Sequence, residues 1–373
     1  MKPQSAEALL AHLVSHPTVV GTSNLDLVGF VADYLRGHGA AVSVLVGPEG
    51  DRANLFATLG DPGLPGYILS GHLDVVPAEE PEWRGDPFSL RQSDDRLIAR
   101  GACDMKGFDA AVLAAVPDLA AMTLTAPIHI ALSYDEEAGC KGVPHMIAQL
   151  PDLCAPPLGC IVGEPTGLQP VLAHKGKAAL RLTAKGVPGH SSRPDKGKNA
   201  IHALVPALTA AVELSGQLEQ TGQDDRFEPP WSTLQIGTVQ GGTAVNIIPD
   251  HAQTLIETRA IAGADPRALL APVCAAAGDM VETEWVSTYP ALALEAGAPL
   301  AALAAEISGK SPLQAVSFGT EAGLFQAAGI PSVICGPGDI ARAHRPEEYL
   351  TRQELEDTRQ MILRLGQRLG QSQ

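Results

Sequence analysis

The sequence predicts a two-domain α/β protein, in which a mixed, mostly parallel sheet flanked by helices carries an inserted α+β domain. Helical and strand patterns alternate up to about residue 170 and return after residue 288. The segment between them follows the order β-α-β-β-α-β of a ferredoxin-like fold. A length of 373 residues also suits about two domains. We therefore predict a first domain from 1–173 and 289–373, with 174–288 inserted between its two parts.

The elements of the first part follow from hydrophobic periodicity. Leu9, Leu10, Leu13 and Val14 lie on one side of an amphipathic helix. We predict helices at 5–16, 24–38, 107–121 and 142–150, and strands at AVSVLVG, NLFATLG, YILSGHLDVV, IHIALSYD and GCIVGE. The polar stretches HLD, YDEE and GEPT each come where an apolar strand ends. Because ligands collect at the carboxyl ends of strands in such sheets, we expect a shared site there.

The inserted domain shows the alternating pattern of half-exposed antiparallel strands. Its predicted elements are a strand at 177–186, a helix at 199–219, strands at 232–242 and 252–261, a helix at 265–278 and a strand at 281–288. The chain then returns to α/β character with a helix at 296–308, the stretches LQAVSF, GLFQAAG and PSVICGPG, and a helix at 351–369. The last segment is therefore expected to complete the first domain.

Charge and cysteine content limit the class of protein. The net charge of −16 argues against nucleic acid or an anionic membrane as a partner and suits a cationic substrate. The six cysteines form no Cys-x-x-Cys pair, and a chain of this size needs no disulfides, so reduced thiols are expected. The N-terminus lacks the basic and apolar regions of a signal peptide, and no apolar run approaches about 20 residues. We expect a cytoplasmic enzyme with no membrane span.

His72 and Asp74 lie two residues apart on the strand YILSGHLDVV, so their side chains point the same way. Such a pair is often a hydrogen-bonded core pair. It is also the arrangement of a metal-binding imidazole with the carboxylate that orients it. Four further segments carry candidate groups, namely Asp104, the adjacent Glu136 and Glu137, Glu164, and His344.

Each of these segments has a simpler interpretation by itself. Asp104 could be a residue at a helix N-terminus, the Asp-Glu-Glu run a solvated turn, Glu164 a surface-loop residue and His344 an exposed side chain. Together the acids follow hydrophobic strands, where unpaired charges are costly. Imidazoles and carboxylates are ligands of zinc, and one carboxylate can bridge two ions about 3.5–4 Å apart. A second carboxylate, free of metal, would move protons, and adjacent Glu136 and Glu137 offer that division.

The ordered motifs resemble the di-zinc aminoacylase and carboxypeptidase-type metallopeptidase family. SGHLDVVP, RGACDMKG, DEE, GEPT, GHSSRP and CGPGDIARAHRPEEYL match in order and approximate spacing over nearly the whole chain. Within that family, LSYDEEAGCKGV, VGEPTGLQPVLAHKGK and SFGTEAG are most similar to the enzymes that deacetylate N-acetylornithine. The resemblance implies two Zn2+ ions, with Co2+ or Mn2+ as substitutes.

The resemblance also implies a role for each residue of the site. Asp104 bridges both ions, His72 and Glu164 bind one of them, and His344 and Glu137 bind the other. Asp74 braces His72, and Glu136 is the general base. A cis peptide is expected after the bridging aspartate, at Asp104-Met105.

The inserted domain would then be a lid that also forms a homodimer. The resemblance implies that His190 reaches the partner subunit's active site, and that Asn246 and Arg259 hold the substrate carboxylate. An exposed loop histidine and a surface strand arginine are the plainer alternatives. Arginine suits a carboxylate because it donates two parallel hydrogen bonds. Thr320 or Glu321 is expected to contact the substrate side chain, although this stretch also reads as a helix start.

The function implied by the resemblance is metal-dependent hydrolysis of an N-acyl amino acid, with N-acetylornithine giving ornithine and acetate in arginine biosynthesis. Desuccinylation of N-succinyl diaminopimelate, hydrolysis of other N-acyl amino acids and dipeptidase activity are alternatives with the same chemistry. A metal-free binding protein on a decayed hydrolase scaffold is an alternative of another class. The complete set of candidate ligands argues against it.

Overall fold

The computed structural model describes residues 2–370 and divides them into two compact units. The first unit comprises the residues up to Leu172, Leu294–Gln314 and the residues from Thr320 onward. The second unit comprises Ala173–Ala293 and Ala315–Gly319. The six cysteines all lie within the described residues, and none is in a disulfide.

The helices and strands are numbered separately in chain order. The helices are α1 (Ala6–Val14), α2 (Leu25–Gly37), α3 (Lys106–Ala120), α4 (Val143–Ile147), α5 (Leu150–Leu153), α6 (Ala200–Leu218), α7 (Pro266–Leu269), α8 (Ala271–Ala276), α9 (Pro299–Ser308), α10 (Ala322–Ala327) and α11 (Arg352–Gly370). The strands are β1 (Ala41–Val46), β2 (Ala53–Leu59), β3 (Tyr67–His72), β4 (Arg91–Ser93), β5 (Arg96–Ile98), β6 (Ile128–Ser133), β7 (Gly159–Pro165), β8 (Ala173–His174), β9 (Gly176–Lys185), β10 (Gly189–His190), β11 (Thr233–Gly241), β12 (Ile247–Ile248), β13 (His251–Ala260), β14 (Val281–Tyr289), β15 (Leu292–Ala293), β16 (Ser332–Gly336) and β17 (Tyr349–Thr351).

The first unit is built on a six-stranded sheet in the order β1-β2-β6-β3-β7-β16. The pairs β6-β3, β3-β7 and β7-β16 are parallel, while β1-β2 and β2-β6 are antiparallel. Every residue of β2, β6, β7 and β16 is buried, as expected for strands covered on both faces. The fold class predicted from the sequence is therefore confirmed for this sheet.

The parallel strands of this sheet determine where the polar groups lie. Strands β3, β6 and β7 run in the same direction, so their carboxyl ends meet at one edge of the sheet. His72 is the last residue of β3, Glu164 lies at the end of β7, and Glu136 follows β6 by three residues. The α/β topology thus collects groups that are far apart along the chain.

The second unit is a four-stranded antiparallel sheet in the order β11-β13-β9-β14, covered by α6, α7 and α8. This is the β-α-β-β-α-β arrangement predicted from the sequence. Strands β9 and β13 alternate between buried and half-buried residues. Leu180 and Leu182 of β9 pack in one cluster with Leu204 and Ala207 of α6, which makes the core of this unit.

Among the helices of residues 2–370, α6 alone combines enough length and apolar character to span a membrane. The expectation that no apolar run approaches 20 residues is therefore wrong for this 19-residue helix. Its Leu204, Ala207 and Ala211 are nevertheless buried against the sheet of the second unit.

Two predicted helices are each divided in the structure. The segment predicted as one helix at 142–150 forms α4 and the first residue of α5, and 265–278 forms α7 and α8. Pro151 and Pro272 lie in the first turns of α5 and α8. Proline is tolerated there because the first turn has no intrahelical partner for the missing N–H, whereas it interrupts a continuous helix.

Candidate metal centre

His72 is held in a defined orientation at the end of β3. Its Nδ1 donates to the carbonyl oxygen of Asp74 at 2.9 Å, which directs Nε2 away from the strand. Nε2 lies 3.0 Å from Oδ1 of Asp104 and 3.8 Å from Oε1 of Glu164. Burial opposes the charged imidazolium, but the carboxylates of Asp104, Asp74 and Glu164 raise the pKa of His72 well above its ordinary value. Nε2, the nitrogen that a metal would use, thus faces two carboxylates.

Asp104 lies between the two histidines of the site. Its Oδ2 is 3.3 Å from Nε2 of His344, on the side opposite His72. Although burial works against the ionised carboxyl, hydrogen bonds from His344 and His72 lower the pKa of Asp104. Asp104 lies in the turn before α3, and the Asp104-Met105 peptide is cis, as expected. A carboxylate in this position has the geometry of a bridge between two cations.

Glu137 and His344 form the other side of the cluster. Oε1 of Glu137 lies 2.9 Å from Nε2 of His344. The two carboxylates of Asp104 and Glu137 raise the pKa of His344 to about 10. The His344 side chain is 50% exposed, whereas that of His72 is 1% exposed, so one histidine faces solvent and the other is fully enclosed.

Glu136 and Glu164 complete the set of acids. One ligand atom from each of His72, Glu136 and Glu164 lies within 4.8 Å of the others, and the same holds for His72, Asp104 and Glu137. Burial raises the pKa of Glu136 to about 8, with Glu137 adding to the shift and His72 opposing it. Burial and the charges of Asp104 and Glu136 raise the pKa of Glu164 well above its ordinary value. Several buried acids of like charge are therefore held close together, an arrangement that protons or cations must neutralise.

Asp74 contacts His72 through its backbone and its side chain. Its carbonyl oxygen lies 2.9 Å from Nδ1, and the carboxylate that was expected to brace His72 lies 3.7 Å from the same nitrogen, so the bracing role stays a prediction. The carboxylate also accepts the backbone N–H groups of Glu136 at 3.1 Å and Glu137 at 3.0 Å. Asp74 thus orients the imidazole through its backbone and fixes the two glutamates through its side chain.

The thiol of Cys140 was not predicted as part of the site. Its Sγ donates to Oε1 of Glu136 at 3.2 Å. Cys140 has a φ of 58°, which is uncommon for a residue other than glycine. The i,i+4 spacing of Glu136 and Cys140 in DEEAGC was visible in the sequence, but the left-handed backbone that turns the thiol back was not.

Arg100 and Glu348 form a buried ion pair that sequence reasoning also missed. Nη1 of Arg100 lies 2.8 Å from Oε2 of Glu348, and the other oxygen of Glu348 accepts the N–H of Asp104 at 3.0 Å. Both residues are contained in motifs quoted above, RGACD and HRPEEYL. Their charge, within motifs that also carry Asp104 and His344, was the sequence feature that could have identified them.

Thr320 and Glu321 both bond to neighbouring groups of the first unit. The Thr320 hydroxyl accepts the N–H of Ala322 at 3.1 Å at the start of α10. Glu321 is buried, and its carboxylate accepts hydrogen bonds from Ser70 and Ser133. The helix-start interpretation thus describes Thr320, while the expected contact with a substrate side chain stays a prediction.

The remaining predicted residues belong to the second unit. His190 is exposed, with Nδ1 at 2.8 Å from the hydroxyl of Ser192. Asn246 is exposed. Arg259 is half-buried on β13 and donates to Glu257 at 2.6 Å and to the hydroxyl of Tyr289 at 3.0 Å. Their expected roles in substrate binding stay predictions.

Comparisons with known proteins agree with the fold. The model of peptidase family M20/M25/M40 matches residues 68–368. Acetylornithine deacetylase of Proteus mirabilis (strain HI4320) is 32% identical over 369 residues, which covers 95% of this chain and 94% of that protein.

Two solved structures share the fold. The M20 family metallo-carboxypeptidase Sso-CP2 of Sulfolobus solfataricus has a TM-score of 0.78 at 16% identity, covering 98% of this chain and 99% of that one. The YXEP protein of Bacillus subtilis, a dinuclear metal-binding peptidase of the M20 family, has a TM-score of 0.63 at 17% identity, covering 97% and 96%.

Fold and site together define a two-domain hydrolase whose residues could hold metal ions. The chain belongs to peptidase family M20/M25/M40.

Proposed function

We propose that this protein hydrolyses the amide bond of N-acetylornithine to give ornithine and acetate. The cluster of two imidazoles and four carboxylates carries the proposal, because it offers both a metal centre and a separate proton acceptor. The choice of substrate rests on the 32% identity to an acetylornithine deacetylase. A role in arginine biosynthesis in the cytoplasm belongs to the same proposal.

The donor set fits two zinc ions. His72, Glu164 and Asp104 would hold one ion, and His344, Glu137 and Asp104 the other. The contacts already pair each histidine with its own glutamate. Zinc bound there would supply an activated water at neutral pH and a positive charge for the acyl oxygen. Cobalt or manganese suits the same ligands.

Glu136 is proposed as the general base. Its carboxylate is buried within the cluster, next to His72 and Glu164, where it would take a proton from the attacking water and later give it to the leaving amine. A pKa of about 8 in the metal-free chain gives this carboxyl a high proton affinity. The Asp74 carboxylate keeps it in place by holding the N–H groups of Glu136 and Glu137.

Substrate recognition is assigned to the second unit. Arg259 and Asn246 are proposed to hold the α-carboxylate, and His190 of the partner subunit to donate to the developing oxyanion. The homodimer this requires is supported by apolar side chains left exposed on α6, where Val205 is 48% and Val212 65% exposed. A dimer contact would cover such side chains.

The test is a hydrolysis panel with N-acetylornithine, N-succinyl diaminopimelate, N-acetylmethionine and a dipeptide, each with and without a chelator. We expect N-acetylornithine to have the highest kcat/KM and chelation to remove the activity. Preference for another amide would reject the substrate but keep the chemistry. Turnover that survives complete metal removal would reject the metal centre, and no turnover with bound ligand would favour a binding protein.

A further inference from the structure

We infer that the buried ion pair of Arg100 and Glu348 positions three ligand-bearing segments and thereby sets the affinity of the centre for metal. This rests on the metal centre of the proposed function. Each residue is 1% exposed. Bringing two charges out of water costs free energy that a single ion pair often fails to recover, so a buried pair is weak grounds for a stabilising role. What the pair holds in place is therefore the more informative observation.

Glu348 holds the turn that presents Asp104. Its Oε1 accepts two adjacent backbone N–H groups, from Cys103 at 2.9 Å and from Asp104 at 3.0 Å. Its Oε2 is bound by Nη1 of Arg100. Both oxygens are thus used, one on the turn of the expected bridging ligand and one on the guanidinium.

Arg100 extends these contacts to two other segments. Nη1 also donates to the carbonyl oxygen of Arg345, the residue after His344, at 3.3 Å. Nη2 donates to the carbonyl oxygen of Pro77, three residues after Asp74, at 3.2 Å. Nη2 also lies 3.2 Å from the carboxylate of Glu80 in the same loop.

The pair therefore contacts the segments that carry His72, Asp104 and His344, which contribute to both proposed metal positions. A planar guanidinium suits this task because its donors diverge at fixed angles, which a lysine ammonium cannot reproduce. Partners behind metal ligands commonly change metal affinity by about 10–100-fold when they are replaced.

Glu348→Gln is the principal test, and Glu347→Gln is its matched control. Glu347 is the preceding residue and forms an ion pair with Arg91 at 2.5 Å, and it accepts the N–H of Arg84 at 3.0 Å. The two variants lose the same charge at neighbouring positions, but only one contacts the turn of Asp104.

Zinc affinity is measured on metal-free protein by competition with a chromophoric chelator, which needs no substrate. We expect Glu348→Gln to weaken zinc binding by about tenfold or more, and Glu347→Gln to stay within about threefold of the parent protein. Arg100→Lys keeps the positive charge but loses the diverging donors of the guanidinium, and it should weaken zinc binding as well. Far-UV circular dichroism of the metal-free protein shows whether Glu348→Gln folds. If it does not fold, the zinc affinity of Arg100→Lys tests the positioning role.

Equal affinity in the parent protein, Glu348→Gln and Arg100→Lys would overturn the positioning role and leave the proposed function intact. Equal loss in Glu348→Gln and Glu347→Gln would also overturn it, because the effect would then follow from charge alone. A parent protein that binds no zinc would reject the proposed function and this inference together.

Discussion

A Glu136→Gln substitution is expected to stabilise the metal-free protein while it disables the metal-loaded protein. Glutamine has nearly the shape of glutamate but cannot ionise or accept a proton. In the metal-loaded protein, losing the base should lower kcat by about 10²–10⁴-fold with unchanged zinc content. In the metal-free protein, the same change removes a buried acid from a cluster of acids.

The size of the stabilisation follows from the pKa shift. Burial raises the pKa of Glu136 to about 8 from an ordinary 4.5. Because the folded-state pKa is the higher one, the folded protein binds this proton more tightly than the unfolded chain. The resulting stability is fully present below pH 4.5 and is lost as the pH rises towards 8. At about 1.4 kcal/mol per pH unit, the loss between pH 5 and 8 is on the order of 3–4 kcal/mol. The Glu136→Gln variant does not show this loss, because its side chain does not titrate.

The assay is thermal and urea unfolding of chelator-treated protein at pH 5 and pH 8. We expect Glu136→Gln to be more stable than the parent protein at pH 8 and nearly equal to it at pH 5. The comparison within one pH cancels other buried groups, such as His129 and His174. Glu213→Gln, on the exposed side of α6, should change stability by less than about 0.5 kcal/mol at either pH. Equal stability at pH 8, or an equal gain at both pH values, would refute the reasoning.

Four further outcomes are expected. Dialysis against a chelator should abolish turnover, and added zinc should restore it, as followed by amine release and metal analysis. Arg259→Met should raise KM for an acylated amino acid by about 10–100-fold while kcat changes less, since it removes a charged hydrogen-bond donor. An unchanged KM would reject the proposal that Arg259 binds the substrate carboxylate. Mixing His190→Ala with Glu136→Gln protein should restore part of the activity lost in each alone if the histidine acts across subunits, whereas no recovery would place it elsewhere. Leu182→Ala, at a fully buried position of β9, should lower the free energy of unfolding by about 2–5 kcal/mol in urea titrations.

The central strands were predictable because strands buried on both faces consist of long apolar runs. Strands β2, β6 and β7 are buried at every position and carry few polar residues, so pattern alone located them within about two residues. The three-stranded sheet of β4, β5 and β17 was not predicted. Its strands are three residues each, too short to show a period, and β17 joins β5 from more than 250 residues away.

For the candidate site, the sequence indicated which residue types converge but not how they are held. Strand ends located His72 and Glu164, and the resemblance supplied His344. The bond from His72 to the carbonyl of Asp74, rather than to its carboxylate, depends on backbone orientation that residue letters do not encode. Arg100 and Glu348 are 248 residues apart, and only the folded topology brings them together.

The unequal enclosure of the two imidazoles affects how the protein would be handled. The side chain of His344 is 50% exposed and that of His72 is 1% exposed, so we expect a chelator to reach a metal at His344 first. Brief dialysis should therefore strip the outer position and leave the inner one filled, giving a half-loaded preparation rather than a mixture of full and empty molecules. Purification history, more than the composition of the final buffer, would then decide how much metal a sample contains.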